Sequence, residues 1–173
     1  MAPFAFAKED GNEATPTSAP ISSGGSSSST PSTQSVNSET ELKNAIESAS
    51  SGSTIKLGQN ITLTSTLSIT KNITLDGDSH TLSGSVASNT SFINVSPEDG
   101  NFTLTNCIVS PSAKVEPNAS IYLSVAGAVT ITNCTFGSPS DTEGFMYNGL
   151  EFSQTVAMGN TTITGNTFYG GAF

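Results

Sequence analysis

The sequence predicts an all-β chain of solenoid type, in which short parallel strands stack coil upon coil. Three observations predict it. One line of sequence recurs four times, as NITLDGDSHTL from Asn72, NFTLTNCIV from Asn101, AVTITNCTF from Ala128 and NTTITGNTF from Asn160. Its second apolar residue (Leu75, Leu104, Ile131, Ile163) returns after 29, 27 and 32 residues, and a near-constant period of that length marks a repeat architecture. Within each copy the apolar residues alternate with a period of two and many are β-branched, which is a strand pattern and not a helical one.

Composition agrees. Hydrophobic residues make up 34% of the 173 residues, a modest share that suits a fold in which only alternate strand positions face inward. The net charge is −9, with five lysines and no arginine. Nucleic acid, which needs its phosphates neutralised, is therefore an unsuitable partner. No run of 18 apolar residues is present to cross a membrane as a helix. The start, MAPFAFAKEDG, lacks the basic residues and long apolar core of a secretory signal. A chain kept in the cytoplasm where it was made, or one already processed, is expected. Eight Asn-x-Ser/Thr sequons occur, several inside predicted strands where a glycan would not fit.

In chain order, residues 1–36 read as an extended, low-complexity arm. Phe4 and Phe6 alternate with small residues, and ISSGGSSSSTPSTQSV follows with the composition of a flexible linker. The second domain, 37–173, opens with a helix over 38–52. Ser38 and Glu41 have the spacing of a capping box. Leu42, Ala45, Ile46 and Ala49 form one apolar stripe, Lys43 and Glu47 are spaced as a pair, and Gly52 supplies the stop. Its place before the repeats suggests a cap over the first coil. Short strands then follow around Ile55/Leu57, Ile61/Leu63 and Leu67/Ile69, then the repeats, with a further set at Phe92–Val95, Ile121–Val125 and Leu150–Phe152.

The segment ELKNAI…GSTIKLGQNITLTSTLSITKNITLDGDSHTLSG resembles the opening of right-handed parallel β-helices of the pectin-lyase-like superfamily. The TNCTF and TGNTF lines resemble its ordinary coil repeat. The likeness covers about residues 38–173 and implies a right-handed β-helix of about four to five coils. It does not fix function, because the superfamily includes lyases, hydrolases, adhesins and viral spikes.

The residues that chemistry would need are sparse. Lyases of this fold use a basic side chain beside a carboxylate-bound Ca²⁺, whereas the lysines here (Lys8, Lys43, Lys56, Lys71, Lys114) stand apart from any acidic cluster. Hydrolases need closely paired carboxylates, and no such pair recurs. Asp76, Asp78 and His80 alternate as metal ligands could, but Asp76-Gly77 reads more simply as a turn. No catalytic residue, metal or cofactor is therefore expected.

Cys107 and Cys134 share a slot 27 residues apart, as do Asn106 and Asn133, with Gly165 next in line. A buried, reduced thiol stack is favoured, with a disulfide the alternative. The Asn slot suits a left-handed bend with amides bonding from coil to coil. Tyr122, Tyr147, Tyr169 and Phe145 could stack on sugars if exposed. Phe168, Tyr169 and Phe173 are expected to plug the last coil or to meet a neighbouring subunit, since no closing helix follows them.

The leading expectation is a non-enzymatic structural or decoration protein, a bacteriophage virion component of capsid or fibre, made in the host cytoplasm. Residues 1–20, with Phe4 and Phe6, would anchor it to a protein partner by adding to a sheet edge or filling a groove. The alternative is a carbohydrate-binding or adhesin fragment at a cell surface, and the third is a truncated polysaccharide lyase or hydrolase. Homo-oligomerisation and glycan binding remain open, whereas nucleic acid and membrane are not expected as partners.

Overall fold

The computed structural model describes residues 30–87, 89–97, 100–112, 120–139 and 149–169. Phe4, Phe6 and Phe173 lie outside them, as do Phe145 and Tyr147. The elements in order are β1 (Thr33–Val36), α1 (Glu39–Ser48), β2 (Ser53–Leu57), β3 (Ile61–Leu63), β4 (Leu67–Ile69), β5 (Ile73–Asp76), β6 (Thr81–Gly84) and β7 (Ile93–Val95). They continue with β8 (Phe102–Thr105), β9 (Ile108–Pro111), β10 (Ile121–Leu123), β11 (Val129–Thr132), β12 (Thr135–Phe136), β13 (Leu150–Phe152), β14 (Thr161–Thr164) and β15 (Thr167–Phe168).

These strands form three parallel sheets, the arrangement of a parallel β-solenoid. Sheet A runs β1-β2-β5-β8-β11-β14, sheet B β15-β12-β9-β6-β3, and sheet C β13-β10-β7-β4. From β2 onward the chain passes through A, B and C in turn, completes that circuit with β13, and begins it again with β14 and β15. Because side chains alternate across a strand, in-register stacking lines equivalent residues in rows. Ile55, Leu75, Leu104, Ile131 and Ile163 make one inward row of sheet A, and Ile73, Phe102 and Val129 run beside it. Sheet B supplies Ile61, Leu82, Val109, Phe136 and Phe168. Sheet C supplies Ile69, Val95, Leu123 and Phe152.

The inward rows form one continuous core. A coil such as β8–β10 buries Phe102, Leu104, Val109, Ile121 and Leu123, on the order of 10 kcal/mol of apolar transfer before chain entropy is subtracted. Each coil needs its neighbours to realise that burial, because its upper and lower faces are otherwise wet.

The helix is shorter than its sequence suggests. It ends at Ser48, and Ala49 is already extended at φ −62°, ψ 137°. Gly52, at φ +82°, belongs to the turn into β2 instead of stopping the helix. The Ser38 hydroxyl accepts from the Glu41 N–H at 3.2 Å, while the Glu41 carboxylate accepts from the Asn37 N–H at 2.8 Å. Leu42, Ala45 and Ile46 are buried in the core cluster.

Lys43 pairs with Glu39 instead of Glu47, and its ammonium also donates to Ser65 Oγ at 2.6 Å. Glu39 Oε2 in turn accepts from the Thr64 hydroxyl at 2.8 Å and the Thr64 N–H at 3.1 Å. This cluster ties the helix to the loop between β3 and β4. One strand was hidden in the sequence. Thr33–Val36, inside the segment assigned to the arm and linker, pairs in parallel with β2 and gives sheet A its first strand.

Candidate functional site

Two places concentrate the residues singled out above: the corner where sheet A turns into sheet B, and the last coil. At the corner the turn is two residues long in successive coils, Asn106-Cys107, Asn133-Cys134 and Gly165-Asn166. The first residue is left-handed each time, at φ 51°, 55° and 69°. Asparagine and glycine tolerate that region better than other residues.

The second residue points inward, so Cys107 and Cys134 are buried, at 1% exposure each, with both thiols free. Below them Asn166 accepts from the Cys134 N–H and donates to the Ile131 carbonyl, both at 2.8 Å. Above them the turn passes Gly77, where a Cβ would stand 2.4 Å from the Cys107 Cα. Only glycine fits there.

The Asn106 amide donates to Asp76 Oδ1 at 3.1 Å, and the same oxygen accepts from the Asp78 N–H at 3.0 Å. Asp78 also pairs with Lys56 at 3.1 Å. Of the residues weighed as metal ligands, Asp76 and Asp78 are thus engaged in turn and ion-pair contacts. No group of three or more His, Cys, Asp or Glu side chains converges among the described residues.

Ser79, Asn106, Cys107, Ile108, Asn133 and Thr135 line an open groove of about 320 Å³ at this corner. Its exposed chemistry is hydroxyl and amide. Burial pushes the Cys107 thiol far above its usual range, with Cys134 and Asp76 adding to the rise. Burial also raises Cys134, against hydrogen bonds to the Cys107 and Thr132 backbones. A thiol held protonated is a poor nucleophile and a poor metal ligand.

The two ends of the solenoid differ. The first coil lies under α1. On the last coil all four residues of β14 are exposed, and the inward-row Ile163 is 39% exposed. Leu150, Phe152, Met158 and Phe168 pack against the core but are only partly buried. Phe168 stacks on Phe136, with ring centroids 4.7 Å apart and planes 9° from parallel. Tyr169 is half-buried, and its N–H donates to the Phe136 carbonyl at 2.8 Å. This is an apolar face bordered by strand edges. Tyr122 lies elsewhere, on the outward side of sheet C and half-buried.

Among the described residues no helix is long and apolar enough to cross a membrane. Comparisons with protein-family models, curated proteins and solved structures find no match.

Proposed function

We propose that the chain is a non-enzymatic structural protein, built as a right-handed parallel β-helix of the pectin-lyase-like kind and used as a component of a larger protein assembly. A bacteriophage virion, as capsid decoration or fibre, is the assembly of first choice. The observation that carries this reading is the last coil. Among the described residues it leaves β14 exposed and Leu150, Phe152, Ile163 and Phe168 incompletely buried, which supports stacking of further β-structure there. Exposed strand edges and apolar patches of that kind are ordinarily covered in soluble proteins.

In this proposal residues 1–20, with Phe4 and Phe6, hold the chain to its protein partner, and Phe168, Tyr169 and Phe173 belong to the end contact. The β-helix then serves as a stiff spacer. Catalysis is left out because the corner thiols are protonated and the nearby carboxylates are held in turn and ion-pair contacts. Mass spectrometry of purified virions from the source host tests the assignment: the chain should be present at a fixed stoichiometry. Its absence from virions, with recovery at the cell surface instead, would overturn the reading in favour of an adhesin.

A further inference from the structure

The outward face of sheet A carries a second, unexpected register. Thr33, Thr54, Thr74, Thr103, Thr130 and Thr162 stand directly opposite one another across all six strands. The next outward row reads Ser35, Lys56, Asp76, Thr105, Thr132 and Thr164. The strands β8, β11 and β14 therefore each present Thr-x-Thr, and one row continues as threonine through the three remaining strands. Neighbouring strands are about 4.8 Å apart and alternate residues along a parallel strand about 6.6 Å apart, so the threonines lie on a rectangular net.

Two further observations set this face apart. Threonine is held stiffly at χ1, and the Thr132 hydroxyl donates to Thr105 Oγ1 at 3.2 Å, so hydroxyls and methyls keep fixed positions. The unbroken threonine row belongs to sheet A, whereas the outward rows of sheet B read Thr81, Ile108, Thr135 and Thr167, and Thr62, Ser83 and Ser110. The outward row of sheet C reads Ser68, Asn94, Tyr122 and Glu151, with no repeated chemistry. A threonine-rich composition alone would not single out one face. The patch formed by β8, β11 and β14 bears no charge, although the chain carries −9. The helix α1 packs at the other end of the solenoid, against β1, β2, β3 and β4.

We propose that this face binds ice. A surface with two fixed translational spacings selects a partner with matching periodicity, which points to a crystal lattice and not to a single small molecule. An ionic mineral would call for rows of charged groups, which the patch lacks. The oxygen rows on the prism faces of hexagonal ice form a rectangular net whose short edge is close to the inter-strand spacing. Its long edge is slightly greater than the separation of alternate residues. Hydroxyls on such a net hold water in ice-like positions, and the methyl groups between them fill the spaces that bulk water would otherwise disorder. The inference is independent of how the chain is anchored.

The test uses the full chain in ice-affinity partitioning and ice-recrystallisation assays. The wild-type protein should enter growing ice and slow recrystallisation. Thr130→Tyr, which places a wedge between Thr103 and Thr162, should lose most of that activity, and Thr103→Tyr serves if that variant fails to fold. Thr62→Tyr, on the exposed outward side of sheet B, should keep full activity. Folding of every variant is checked by circular dichroism. A folded wild-type protein with no effect on ice growth would overturn the proposal. So would equal loss in Thr62→Tyr, or retention on crystalline polysaccharide that depends on Thr130 without any ice activity.

Discussion

The Phe136 and Phe168 rings stack at 4.7 Å, yet one is fully buried and the other is not. They are successive members of one inward row, in which Phe136 lies between Val109 and Phe168 and Phe168 belongs to the last described coil. Phe136→Ala should cost about 3–5 kcal/mol, as for a phenylalanine in a closed core, and Phe168→Ala roughly half of that. Urea unfolding of the two variants measures this. Equal costs would mean that the last coil is packed as tightly as the interior.

Glu39 should make stability depend on acid. Burial alone would raise its pKa, but hydrogen bonds from Lys43 and Thr64 outweigh that and hold it at about 2, against an ordinary value of 4.5. Since the folded value lies below the unfolded one, the ionised form favours folding. That contribution is complete above about 4.5 and is lost as pH falls through about 2. Glu39→Gln should cost about 1–2 kcal/mol at neutral pH, reduced by solvent screening of the pair. The gap from wild type should close in strong acid. A gap that stays constant with pH would contradict the ion-pair account.

The thiols should be hidden and free. Native protein at neutral pH should react slowly with a thiol reagent, because Cys107 and Cys134 are buried and burial raises both pKa values. Unfolding without reductant should release both. A denatured chain with no free thiol would show instead that the pair is bridged.

The corner should accept glycine more readily than alanine. Asn133 sits at φ 55°, and its successor in the stack is Gly165 at φ 69°. Asn133→Gly should therefore be nearly neutral, while Asn133→Ala should cost about 1–2 kcal/mol of left-handed strain. Thermal unfolding distinguishes them. Equal stability of the two variants would argue that the backbone there relaxes.

The inward rows were legible because alternation identifies which residues share a face, and equal slots in the repeat identify which ones stack. Ile131 over Leu104 needed nothing more. Elsewhere the deciding information was tertiary. Lys43 has an acid four residues away on either side, and only the approach of Thr64 and Ser65 makes the Glu39 side the better partner. The strand Thr33–Val36 contains one apolar residue, so no alternation announces it. What selects it is the edge that β2 would otherwise leave without a partner strand. The shared slot predicts an amide ladder through Asn106, and in the structure a longer turn in the preceding coil brings Asp76 within reach of its amide. The threonine net was written in the sequence as TLT, TIT and TIT. It became visible only when the register aligned Thr33, Thr54 and Thr74 with it, across coils of unequal length.

The central proposal, that the β-helix is held in an assembly by the segment before it, is tested most directly by deleting residues 1–20 and measuring occupancy in the native assembly by quantitative mass spectrometry. The truncated chain should remain folded and soluble, with its cooperative unfolding intact, and should be missing from the assembly. Incorporation of the truncated chain at normal occupancy would contradict the proposal.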